Sequence, residues 1–248
     1  MQLKQWNLAL GVLHAAQAVA VFLLAKDFRV PFRTEYLTFN EATQSLESAS
    51  RLLFELPLAW LIVAFFAMSS IAHFVIAGPW FKKYKADLEK GMNRARWVEY
   101  AVSASTMMVA IAALVGVVSL PLAFSMFALT AVMNLLGLVM ETHNQGQAKP
   151  NWLSYWVGTI AGLVPWLVVA SYFVSNWFYG SGNPPTFVYI IFVSIFVAFS
   201  SFAVNMWLQY KKKGKWADYL YGEKAYMVLS LVAKSALAWQ IFGGTLRP

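Results

Sequence analysis

The 248 residues contain no cysteine, which excludes disulfides, thiol catalysis and the cysteine-based zinc motifs. Charge is the next scarcity: 12% of the residues are Asp, Glu, Lys or Arg, about half the share of a soluble domain. Because 60% of the chain is hydrophobic, the expected solvent is a lipid bilayer. No repeat, no low-complexity tract and no symmetry between halves of the kind transporters often show is visible. The first apolar segment opens at Asn7 behind a single positive charge, Lys4, without a small-residue cleavage signal, and is expected to be a retained helix. Spans of about 20 residues with short links use the length in about seven helices. Residues 1–248 therefore read as one domain, an all-α membrane bundle.

Apolar runs with interfacial aromatics predict helices near 7–26, 54–78, 87–118, 121–141, 153–176, 187–210 and 223–243. The third is begun early, near Asp87, because that start draws Glu99 about three turns inward. Lys and Arg are divided unevenly. Lys4, Lys82, Lys83, Lys85, Lys90, Arg94, Arg96, Lys149, Lys211, Lys212, Lys213, Lys215 and Lys224 flank one side; Lys26, Arg29, Arg33, Arg51 and Arg247 flank the other. The positive-inside bias then predicts a cytoplasmic amino terminus and an extracellular carboxyl terminus in a multi-pass protein of the cell membrane. A net charge of +8 would suggest nucleic acid in a soluble protein, but beside apolar spans these residues set orientation, so no nucleic-acid partner is expected. The run Lys211–Lys215 reads as topology and anionic-lipid contact. The first connection, about 27–52, is long and external, with partial alternation through Phe28, Val30 and Phe32 that suits a short hairpin. Gly180–Pro185 reads as little more than a turn.

Two ionisable residues, Lys234 and Glu99, are expected deep inside apolar spans, where an ionisable group costs about 2.5–3.5 kcal/mol. One reading is a structural ion pair. The other is chemical: a desolvated lysine is a nucleophile able to condense with an aldehyde, and the resulting cation needs a nearby anion. Ser230 precedes Lys234 by one turn and could bridge imine and carboxylate. Arg96 lies one turn toward the cytoplasm from Glu99, and Ser103 follows on the same stripe. His14 and His73, with Ser69 one turn from His73, sit on the first two spans and point to a polar, proton-accepting cavity. Metal binding is not expected, because the other usual ligands are missing.

The segment Leu229–Phe242 resembles the final helix of heliorhodopsins. Arg96–Tyr100, Gly11–His14, the pair His73–Phe74, Gly162–Trp166 and Gly214–Trp216 resemble heliorhodopsin segments in the same order. The resemblance implies a seven-helix rhodopsin-like fold, inverted relative to ordinary microbial rhodopsins, which agrees with the orientation inferred from charge. It implies all-trans retinal on Lys234 as a protonated Schiff base, Glu99 as counterion, and a homodimer, which the long loop and the small and aromatic residues also suggest. It places Tyr100, Ser103, Met107, Met133, Gly137, Trp156, Phe199 and Trp239 around the chromophore; each would otherwise be ordinary helix packing. Ser230 stands where pumps commonly keep a second carboxylate, and Ala110 where proton pumps keep a returning one. The expected function is light sensing without net transport and without enzymatic activity, through a signalling partner the sequence does not name. The alternative is a light-driven or light-gated ion transporter or channel.

Overall fold

A computed structural model describes residues 2–180 and 185–247. The expected turn at Gly180–Pro185 falls, for 181–184, outside the described residues. Helix α1 (Gln2–Leu24) leads into the strands β1 (Arg29–Asn40) and β2 (Ser45–Pro57). Then follow α2 (Leu58–Ala77), a short α3 (Phe81–Glu89), α4 (Arg94–Leu114), α5 (Leu120–His143), α6 (Leu153–Tyr179), α7 (Thr186–Tyr210) and α8 (Tyr219–Ile241). The last helix runs on through a wider turn, Phe242–Leu246. Seven of these helices, all except α3, are long and apolar enough to span a bilayer. Leu13, Phe22, Ile71, Phe124, Leu167 and Val193 face outward, as expected of a bundle whose outer solvent is lipid.

The third span departs from expectation. A helix does not run from Asp87: α3 ends at Glu89, Gly91 takes a left-handed backbone (φ 69°), and α4 starts anew at Arg94. Asn93 caps α4 by accepting from the Arg96 N–H at 3.0 Å, one of the donors a helix start leaves unpaired. Asp87 holds the break closed through two bonds from Arg94, at 2.9 and 2.7 Å. Glu99 therefore lies in the second turn of its helix, not three turns in. It is still covered, with 11% of its side chain exposed, because neighbouring elements close that end of the bundle: Tyr84 and Leu88 of α3 pack with Leu3 and Tyr219.

The first connection is a hairpin, as the alternation predicts, but a long one. Its strands pair antiparallel from Arg29–Pro57 to Asn40–Ser45, with one irregularity between Phe32 and Arg33. The root is anchored: Val30 and Phe32 are buried, and the Arg33 N–H donates to Val118 at 2.8 Å. Beyond the root both faces are open, with Tyr36, Leu37, Phe39 and Leu46 exposed. At the tip Asn40 and Thr43 donate to Glu47 at 2.9 and 2.8 Å, holding that carboxyl below its usual range.

Close helix packing depends on small residues. A methyl group built on Gly137 of α5 would meet the Trp97 ring at 2.5 Å, and that ring is held by a bond to Glu141 at 2.7 Å and by contact with Tyr226. Gly137→Ala is expected to cost about 1–3 kcal/mol through overpacking and to lower the unfolding temperature in detergent. Gly243→Ala, where a methyl group would meet nothing within 4 Å, should leave it unchanged.

Candidate functional site

Lys234 lies on α8, fifteen residues beyond its first residue Tyr219, and is almost wholly buried. Side chains on a helix lean toward its amino terminus, so the lysine stem runs back along α8. Its Nζ donates to Ser230 Oγ at 2.9 Å and to Glu99 Oε1 at 3.1 Å. That backward reach lets a residue far along α8 meet one near the start of α4. The ring of Tyr100 lies beneath the ammonium, 5.1 Å from Nζ, at a distance where its face is attractive. Glu99 Oε1 also stands 2.6 Å from Ser69 Oγ. Ser103 is buried with its hydroxyl unpartnered among the described residues. Ser230 contacts the amine; no bond from it to Glu99 forms.

Beside this pair, His14 and His73 stack at 5.6 Å with their planes 9° apart. His73 Nδ1 bonds Asn7 Oδ1 at 2.8 Å, while both ring nitrogens of His14 have no partner among the described residues. A cavity of about 30 Å³ opens beneath, walled by His73, Asn7, Glu99, Ser230, Tyr84 and Glu223 among others. Its volume suits one or two water molecules.

Besides the two charges expected deep in the spans, a second buried cluster is present. Arg96, Glu141 and Glu223 are all buried, with the guanidinium paired to both carboxylates. Asn93 donates through its backbone to Glu141 at 2.8 Å and through its amide to Glu223 at 2.6 Å. Trp97 donates to Glu141 at 2.7 Å, and Tyr219 at 3.2 Å. Arg96 is therefore bound between helices rather than free to hold charge alone. Both acids fall at the ends of predicted spans, where a carboxylate reads as facing water; the signal available was an arginine and two acids on three helix ends that topology brings to one side.

On the far side of Lys234 the surroundings turn apolar. A cavity of about 40 Å³ is lined by Lys234, Tyr100, Met107, Met133, Asn134 and Phe199 with a few neighbours. Met133, Asn134, Phe199 and Phe202 also line a larger cavity of about 310 Å³, which continues past Gly137, Gly162 and Trp166 between α5, α6 and α7. Two expected pocket residues are not there. Trp156 is 58% exposed on the outside of α6, and its neighbour Tyr155 lines the cavity instead. Trp239 is 39% exposed and donates to Gln17 of α1 at 3.0 Å. In each case the helical phase turns the indole to the lipid face. Asn134, which lines both cavities, was not singled out in the sequence; a lone amide in an apolar span was its one signal.

Chemically, one end of this slot offers an amine desolvated beside a single carboxylate, and the rest offers apolar walls for an elongated hydrocarbon. A family model described as Heliorhodopsin matches residues 3–246. A search of the curated proteins finds no match. Among solved structures, the chain is similar to the crystal structure of a light-driven proton pump LR (Mac) from Leptosphaeria maculans. The TM-score is 0.68 at 12% identity, over 98% of this chain and 93% of that one, a likeness that shows the fold.

Removing Arg96 leaves two carboxylates buried without their cation. Arg96→Met is expected to destabilise the protein by about 3–5 kcal/mol, read as a lower unfolding temperature. Adding Glu141→Gln and Glu223→Gln should recover much of the loss, because the uncompensated charge is then gone.

Proposed function

We propose, from the premise that this chain belongs to the heliorhodopsin family and is a multi-pass membrane protein of the retinal-binding, light-responsive type, that it is a light sensor with all-trans retinal attached to Lys234 as a protonated Schiff base. The observation that carries the reading is Lys234 Nζ, buried and held between Glu99 and Ser230 at the mouth of an apolar slot. Tyr100, Met107, Met133 and Phe199 would hold the chain of the chromophore, and Gly137, Gly162 and Trp166 would bound its far end. When bound, retinal supplies visible absorption and light-driven double-bond isomerisation.

The residues do the rest. Glu99 is the carboxylate that balances the positive charge at Lys234 Nζ, and Ser69 orients it from α2. His73, Asn7 and the cavity below give a displaced proton a place on the amino-terminal side of the pair. On the other side, the α4 stripe from Glu99 reads Ser103, Thr106, Ala110 and Leu114, and Thr106 donates to its own helix at Val102. Hydroxyls relay protons but do not store them at neutral pH. Release and return on one side give no net displacement, which favours sensing over pumping. The whole chain acts as one domain of the cell membrane, amino terminus cytoplasmic, as the lysine distribution supports. It acts as a receptor and not as an enzyme, with an output partner still to be identified. The open apolar residues of the hairpin support a homodimer.

Lys234→Ala should yield a colourless protein after retinal is supplied; a retained red-shifted visible band would mean attachment elsewhere. Glu99→Gln should move or collapse that band in a pH titration, because a cation in low dielectric loses its proton more readily without its anion. Patch-clamp recording of the parent under steady light should show no sustained current. A steady current across a range of voltages would instead establish the transporter or channel reading.

A further inference from the structure

Among the described residues, α3 is the one α-helix outside the seven spans, yet it reaches the interior. Its outer face carries Lys82, Lys83 and Lys85, with Lys90 following, all exposed. Beside them stands Trp80, an exposed aromatic suited to a membrane surface, with the Lys83 ammonium over its ring at 4.3 Å, while Phe81 packs inward with Tyr84. The helix follows the end of α2 at Ala77 after a short turn, which sets it at the edge of the apolar zone. Lys85 meets Glu89 at 3.7 Å with both side chains mostly exposed, so the face keeps a large excess of positive charge.

The inner face is tied to the functional site by two routes. Tyr84 is buried and its hydroxyl has no partner among the described residues. It lines the same small cavity as Glu99, Ser230 and Glu223. Burial, with Glu223 nearby, pushes the Tyr84 phenol up. The second route is the backbone. Asp87 is clamped by Arg94, and the intervening Asn93 bonds both carboxylates around Arg96. Glu99 follows Arg96 by one turn.

We propose that α3 is a sensor of anionic lipid headgroups, whose contact is transmitted through Tyr84 and Asn93 to the Lys234–Glu99 pair. The lysines supply point charges for phosphate-bearing headgroups. The exposed Trp80 fixes the depth of the helix. Pulling α3 toward the headgroups shifts Tyr84 in the cavity and strains the Asp87–Arg94 clamp, altering how Asn93 holds the arginine cluster one turn from Glu99. A soluble acidic partner would use the same charges but has no use for the flanking Trp80.

The chain has no native cysteine, so a spin label on Lys82→Cys reports α3 alone. In vesicles of phosphatidylcholine with phosphatidylglycerol the label should be less mobile than in phosphatidylcholine alone, and high salt should release it. Adding Lys83→Gln, Lys85→Gln and Lys90→Gln should abolish the difference. In the retinal-loaded parent, recovery of the visible band after a flash should differ about fivefold between the two lipids, the equivalent of about 1 kcal/mol in the barrier. Tyr84→Phe should keep the label response and shrink that kinetic difference. The spectral arm rests on retinal at Lys234, whereas the label arm does not: a protein forming no pigment would count against the retinal reading and leave the headgroup contact to the label. Equal mobility in both vesicles overturns the proposal, including the case of a soluble acidic partner. A label response without any lipid dependence of recovery overturns the transmission.

Discussion

An ammonium group in the interior of a membrane bundle must be given an anion, and much of this structure can be understood from that requirement. Lys234 meets it with Glu99 at 3.1 Å. The pairing fixes the relation of α8 to α4, and Ser69 on α2 adds a third helix to the arrangement. A buried ion pair is weak evidence for stability, because desolvation offsets its Coulomb energy. Its position at the mouth of an apolar cavity is the geometry on which the proposed attachment at the nitrogen rests.

The second buried cluster closes the amino-terminal end of the same space. Arg96 joins α4 to α5 through Glu141 and to α8 through Glu223, and Asn93 binds both acids from the head of α4. The two clusters share one cavity wall. The network around Arg96 thus ties three helices together beside the Lys234–Glu99 pair.

Much of the fold was legible in the sequence, because a spanning helix must be apolar for about 20 residues and the interruptions are charged. Lys234 was legible for the same reason: no other lysine lies so far from a span end. The break between α3 and α4 was less so, since Lys85, Asp87, Lys90 and Arg94 continue a plausible helical turn, and only Gly91 and Asn93 mark the restart. Glu141 and Glu223 were missed because their burial is tertiary: each stands near a helix end, and only the meeting of three such ends removes them from water. Trp156 and Trp239 show the opposite error, where residue type suited a pocket but helical phase turned the side chain to lipid. The hairpin was anticipated in kind and underestimated in length, because exposed strands carry little alternation to read.

The most direct test of the central claim is chemical. The retinal-loaded protein would be reduced with borohydride, digested and mapped by mass spectrometry. A retinyl group is expected on the peptide containing Lys234 and on no other. Its appearance on the peptide containing Lys224, or its loss on washing with organic solvent, would contradict the account.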